Sequence, residues 1–319
     1  MGFMDRVYVL VTMDVERPRL DKNASGPENW DASAAYIRGY TEQAAAHGFP
    51  VSFFAHPETA VRHAELFERL RQDHGAFTEG LHLHPWKFAD GRYPAHLGGM
   101  TGDEQREAIS EAAAMWRDAF QREPRYFRPG TFSANDETFQ VLVDLGFRGG
   151  SISAPGRVYR ELNSIWTGAV PDPHRAHRCF RQLEGDLEFA NIPLTADFSE
   201  QQQLDGRIYY RDLRPDYRGV DYEPILRNIV NQLVERQPDI PVIQFVTHND
   251  NDYTDPNDPN CINYETVLKG IGEACSRVGL ESVGATIGEV CDLVLAKPAN
   301  PPEFLAAYRP FSERPRWKG

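Results

Sequence analysis

The sequence predicts one α/β domain built as a distorted (β/α)7–8 barrel, and three observations carry that prediction. Apolar strand-like runs alternate with amphipathic helical stretches over about 290 residues, with short connections and no break in composition. The first run, Arg6–Met13, contains Val7, Val9, Leu10 and Val11 and reads as a strand buried on both faces. The chemically suspicious side chains fall at the ends of such runs, where barrel enzymes place their active sites. A doubly wound open sheet is the rival architecture.

In chain order, strand 6–13 leads to Asp14 and Glu16, two residues apart and so on one strand face. A helix over 32–47 stops at Gly48, a strand covers 50–55, and a helix over 58–73 closes at Gly75. The next strand ends in Glu-Gly-Leu-His-Leu-His-Pro-Trp, residues 79–86. Proline cannot sit inside a central strand, so His82 and His84 mark its last residues. Roughly 6.6 Å apart on one face, two imidazoles can lean onto a single ion, with a third ligand supplied from elsewhere.

Thr101-Gly-Asp-Glu104 is a capping box opening a helix to about residue 120. A strand at 126–128, a helix at 133–145 and a strand at 150–153 follow. Strands at 189–192 and 241–247 continue the series, the latter after a helix at about 224–236. A helix at 264–278, a strand near 282–285 and a helix at 287–295 complete it. Residues 195–224 are too long for an ordinary barrel connection and form an insertion rich in Arg and Tyr, expected to be a lid or a dimer arm. Residues 297–319 read as a Pro-rich C-terminal tail beyond the 1–296 barrel.

The net charge of −13 disfavours nucleic acid and anionic membranes as partners, and no apolar run is long enough for a signal peptide or a membrane span. That pattern leads to the expectation of a cytoplasmic protein, and four cysteines without a Cys-x-x-Cys pair are expected to be reduced. A small-molecule or oligosaccharide substrate fits this profile, and a homo-oligomer stays open.

Five stretches, in order, resemble the polysaccharide deacetylase family, the nodulation chitooligosaccharide deacetylase superfamily also called carbohydrate esterase family 4. They are Thr12-Met-Asp-Val-Glu16, Val51-Ser-Phe-Phe54, His82-Leu-His84, Phe127-Arg-Pro-Gly130 and Val246-Thr-His248. The chain departs from the pattern twice. Val15 separates the two carboxylates that are usually adjacent, and the histidines are two apart where the family spaces them by four, with Trp86 in the further position.

The resemblance implies a metal-dependent hydrolase that removes an N-acetyl group from an amino sugar or related amide. A divalent metal, with zinc favoured, would be held by Glu16, His82 and His84. Asp14 would be the general base, Arg128 would hold it ionised, and His248 would be the general acid, oriented by Asp250 or Asp252. The amides of Gly130 and Thr131 would bind the oxyanion, and Trp86 would contact substrate. His56 is expected at the mouth without ligating, His174 and His177 in a loop without metal, and Asn249–Asn260 as a turn-rich rim.

Competing readings are a metal-independent amidohydrolase acting on a small cyclic amide or ureide, and a catalytically silent sugar-binding barrel. A glycoside hydrolase using Asp14 and Glu16 is weaker, because carboxylates on one strand face cannot flank a bond.

Overall fold

The computed structural model describes residues 4–19 and 25–299. The predicted tail at 297–319 therefore lies almost wholly outside the described residues. Thirteen strands and seven α-helices are described. The strands are β1 (Arg6–Val15), β2 (Val51–Ala55), β3 (Phe77–Leu83), β4 (Tyr126–Pro129), β5 (Gly149–Gly150), β6 (Val158–Tyr159), β7 (Ser164–Ile165), β8 (His174–Arg175), β9 (Ala190–Asn191), β10 (Ala196–Leu204), β11 (Arg207–Asp212), β12 (Val242–His248) and β13 (Glu281–Gly284). The helices are α1 (Trp30–Ala46), α2 (Pro57–His74), α3 (Gly102–Phe120), α4 (Thr138–Asp144), α5 (Tyr222–Arg236), α6 (Pro259–Arg277) and α7 (Ile287–Ala296).

The main sheet runs β12-β1-β2-β3-β4-β5-β9-β8 and is parallel except for β8, which is antiparallel to β9. β13 pairs with β1 at Arg6–Val9 while β2 pairs at Val11–Val15. The barrel is thus distorted, and its seam is bridged where the Thr195 amide donates to the Gln244 carbonyl of β12. This is the predicted (β/α) barrel.

Local chemistry explains the elements. In β1 the side chains of Val7, Val9, Val11 and Met13 are fully buried in the main core. Its alternate residues begin with Leu10, which packs with Phe54, Tyr126, Ala190 and Ile192 against Val290, Cys291 and Val294 of α7. That face continues through Thr12 to Asp14, so one strand face passes from apolar packing to a buried carboxylate within five residues. α3 starts at the predicted capping box, with Thr101 and Glu104 satisfying each other's backbone amides. α2 begins on Pro57 and ends on Gly75, which adopts a left-handed φ of 65°.

Two expectations need correction. The helix foreseen at 133–145 is only Thr138–Asp144, because residues 130–132 form a tight turn in which Thr131 and Phe132 both have left-handed φ. α6 begins at Pro259, five residues early, with Asp258 accepting from the Asn260 amide. The 195–224 insertion is ordered as the β10–β11 hairpin, which joins β6 and β7 in a second, four-stranded antiparallel sheet. No helix among the described residues is long and apolar enough to cross a membrane.

Candidate active site

Parallel pairing sets the layout before any side chain is considered. Asp14 of β1 is in register with His248 of β12, and His82 of β3 with Arg128 of β4. All four therefore stand near the C-terminal ends of neighbouring strands, as predicted.

Glu16, His82 and His84 form the one cluster among the described residues whose His, Cys, Asp and Glu ligand atoms could share a metal ion, with those atoms within 4.8 Å of one another. Glu16 Oε1 is 2.8 Å from His84 Nε2 and 3.3 Å from His82 Nε2. His82 Nδ1 donates to the Arg128 carbonyl at 3.0 Å, which turns its Nε2 lone pair toward the carboxylate. The two-apart histidine spacing thus still delivers both rings to one carboxylate.

These donors fit a divalent metal. Tetrahedral ligands at bond lengths of about 2.0–2.1 Å stand roughly 3.3 Å from each other, close to the 3.3 and 2.8 Å between Glu16 Oε1 and the two imidazoles. Burial pushes the His84 imidazole down to about 4, outweighing the pull of Glu16, so the ring is neutral and can ligate. Burial raises Glu16, but the facing His84, the Lys87 ammonium and the adjoining His82 ring more than reverse this and hold it well below the usual carboxylate range. Lys87, which the sequence reading passed over, lies 3.0 Å from Glu16 Oε2.

Asp14 and Arg128 are both buried, and Arg128 Nη1 donates to Asp14 Oδ1 at 2.7 Å. Arg128 Nη2 donates to Thr12 Oγ1, and the guanidinium carbon lies 4.1 Å from the centre of the Phe54 ring. Asp14 and Arg128 thus form a buried ion pair. Burial pushes Asp14 up, but the charge of Arg128 first, then His82 and His248, bring it below its ordinary value.

The predicted partner of His248 needs correcting. Neither Asp250 nor Asp252 orients it; Asp216 does, with Oδ2 at 3.0 Å from His248 Nδ1. Arg214 Nη2 also faces Nδ1 at 3.2 Å, and Arg214 is itself paired with Asp216. Nδ1 carries one proton and gives it to the carboxylate, leaving Nε2 for the cavity. Burial pulls His248 down, yet the Asp216 hydrogen bond and charge outweigh it and leave the imidazole above its ordinary value.

Asp14, Glu16, His84, Thr131 and His248 line one cavity of about 400 Å³. Arg214, Asp216 and Tyr217, all from the inserted segment, complete its wall. Gly130 lies behind His84, and a Cβ on it would come within 2.2 Å of His84 Nδ1. Thr131 and Phe132, at φ 57° and 54°, are held in this costly conformation because the Phe132 carbonyl accepts from Trp166 Nε1 and Ser164 Oγ. Trp86 stands edge-on to His84, partly exposed, and does not line this cavity.

Asn249, expected in the turn-rich rim, is fully buried. Its Oδ1 accepts from the Glu16 amide at 2.7 Å and its Nδ2 donates to the Glu16 carbonyl at 3.0 Å, gripping that peptide as a paired strand would. Beyond it, Asp252, Asp255 and Asp258 each accept from a backbone amide two residues on, which makes the turn-rich stretch expected. His56 is buried and bonded to Glu58. His174 lies in β8 with Nδ1 donating to the Asp172 carbonyl, and His177 Nδ1 accepts from the amides of Cys179 and Phe180. Neither of the last two joins the metal-type cluster.

Arg214, Asp216, Lys87 and Asn249 were missed. The Arg and Tyr enrichment of the insertion was the one signal that pointed toward the first two.

Fold and strand-end chemistry together define a deacetylase-type barrel. The polysaccharide deacetylase family model matches residues 33–150. Among solved structures, a protein assigned to the polysaccharide deacetylases from Mycobacterium smegmatis is similar with a TM-score of 0.57 at 14% identity, covering 94% of each chain. PuuE allantoinase gives 0.58 at 14% identity, covering 92% of this chain and 91% of its own. A protein assigned to the same deacetylases from Pseudomonas aeruginosa PAO1 gives 0.53 at 12% identity, covering 90% of each. At such identities these structures establish the fold. No curated protein matches the sequence. Over residues 33–150 the chain is thus similar to the polysaccharide deacetylases, and its whole fold is shared with the solved structures above.

Proposed function

We propose that the protein hydrolyses the N-acetyl group of an amino sugar or a related small amide, with a divalent metal held by Glu16, His82 and His84. The observation that carries this reading is the convergence on one cavity of that donor cluster, the Arg128-bound carboxylate of Asp14 and the Asp216-bound imidazole of His248. Zinc suits the two-histidine, one-carboxylate set. When bound, such an ion supplies Lewis acidity and brings a water's pKa toward about 7.

The chain's own groups do the rest. Asp14 has Oδ1 occupied by Arg128 and takes a proton from the attacking water through Oδ2. The water oxygen bonds to the acyl carbon, and the Gly130 and Thr131 amides donate to the oxyanion that develops there. His248 then gives its Nε2 proton to the leaving nitrogen as the C–N bond breaks, releasing a free amine and acetate. Trp86 offers an exposed ring on the rim for a sugar face. All four cysteines are free thiols, three of them buried, which supports a reducing compartment such as the cytoplasm.

The β10–β11 hairpin serves in this reading as a lid or as an arm toward a second copy. Shortening its tip over 201–208 while keeping Arg214 and Asp216 tests this by KM and by mass in light scattering.

The direct test is acetate release from N-acetylated monosaccharides, sugar nucleotides and chitooligosaccharides, with and without added zinc. Absence of release from all of them by folded protein would overturn the proposal. A second reading, metal-independent hydrolysis of a small cyclic amide or ureide, is favoured by the ammonium of Lys87 on Glu16 and by the fold shared with PuuE allantoinase. Ring-opening activity that survives exhaustive chelation would select it. The intact Asp14–Arg128 and His248–Asp216 pairs argue against a silent binding barrel.

A further inference from the structure

The two oxygens of Glu16 face different partners. Oε1 meets His82 and His84, whereas Oε2 meets the ammonium of Lys87 at 3.0 Å. Lys87 is 5% exposed, and its ammonium also reaches Ser25 Oγ at 2.5 Å and the Ser25 carbonyl at 3.4 Å. An ammonium has three N–H bonds, so each has an acceptor. The backbone is fixed as well. The Lys87 amide donates to the His84 carbonyl in the one-turn segment Pro85–Lys87, and Arg17 Nη2 donates to the Lys87 carbonyl. The charge is therefore a built part of the centre.

Counting charges shows what this does. Asp14 is answered by Arg128 and Glu16 by Lys87. A divalent ion arriving at the three donors meets almost no net negative charge, although ligand charge is a main source of affinity for such ions.

Resting on the metal-centre reading above, we infer that Lys87 is a built-in competitor for Glu16 that keeps the metal affinity of this site low. It takes one carboxylate oxygen, leaves Oε1 for the ion, and repels a second cation at close range. Occupancy then follows the free metal concentration instead of being permanent. Lys87 does not line the cavity, so it acts through Glu16 and is a positioning residue.

The experiment is calorimetric titration of metal-free protein with zinc, comparing wild type with Lys87→Met, Lys87→Gln and Lys87→Arg. The Met and Gln variants are expected to bind zinc about tenfold tighter or more, and Arg to stay near wild type. A side chain that only packs would give the opposite sign, because its loss would loosen Glu16 and weaken binding. Wild-type binding with equal or weaker binding in both neutral variants overturns the inference and leaves the metal centre standing. Absence of zinc binding in all four proteins overturns the metal centre, and the inference with it. If circular dichroism shows the neutral variants unfolded, wild type alone decides. Loss of zinc to a chelator of roughly micromolar affinity supports the inference, and retention overturns it.

Discussion

Asp216 Oδ2 stands 3.0 Å from Nδ1 of His248, and the two residues reach each other from different parts of the fold. His248 ends the central strand β12, while Asp216 lies in the return of the inserted hairpin. The insertion therefore holds a strand-end imidazole as well as lining the cavity. Asp216 raises the His248 imidazole, and a general acid works only while protonated, so activity should fall as pH rises through that raised value. Asp216→Asn removes the charge and should shift the alkaline limb of the pH–rate profile to lower pH, with kcat reduced about 10²-fold or more. An unchanged limb would remove Asp216 from this role.

Removing Arg128 should be felt as stability before it is felt as rate. Arg128→Met leaves the buried Asp14 carboxylate without its counter-charge, a change that typically costs about 3–5 kcal/mol. Arg128→Lys keeps a charge but lacks the second arm that holds Thr12 Oγ1, and should recover only part of the loss. Urea denaturation of the three proteins measures both effects.

His82→Ala and His84→Ala should each lose bound zinc, read by elemental analysis after dialysis in zinc-containing buffer. Asp14→Asn and His248→Ala should keep metal binding and lose about 10²–10⁴-fold in turnover. Full metal retention in both histidine variants would place the ion elsewhere.

Gly130→Ala tests the close approach behind His84. The added Cβ would lie 2.2 Å from His84 Nδ1, so the ring or the turn must move. Overpacking of this kind costs about 1–3 kcal/mol, and displacement of His84 should weaken zinc about 10–100-fold. Calorimetry separates this from a general loss of fold.

A stability effect of pH should come from His63. Burial, with help from Arg62 and Arg38, lowers this imidazole to about 4, against 6.5 for an unperturbed ring. The unfolded chain therefore binds the proton more readily, so stability is lost as pH falls from about 6.5 toward 4. His63→Gln, which can still meet Ser33 Oγ, should flatten that part of the stability–pH curve. Thermal melts across this range would show an unchanged slope if His63 does not contribute.

Much of this site could be read from the sequence because strand periodicity is a strong constraint. Asp14 and Glu16, or His82 and His84, two apart before a turn signal, have little freedom but to share a face. The Thr101–Glu104 capping box was legible for a similar reason, since both bonds close within four residues. Asp216 was not legible. Its contact with His248 spans 32 residues and depends on the path of an irregular return after β11. Lys87 follows the histidines directly, yet only the turn after Pro85 aims it back at Glu16. The helix foreseen at 133–145 was overdrawn because its apolar spacing gave no hint that Thr131 and Phe132 would take left-handed φ.

The grip of Asn249 on the Glu16 peptide bears on how such a site could be inhibited. His248 and Asn249 are consecutive, so the imidazole at one side of the cavity and the carboxylate at the other are tied through a single peptide unit and two hydrogen bonds. The span between their backbones is set by the joined ends of β1 and β12, and Asp216 holds the ring at one end of it. A compound designed to touch both groups would meet a gauge of fixed length. Stiffness in its linker should then translate into slower dissociation, and a linker one methylene too long should bind at one end only.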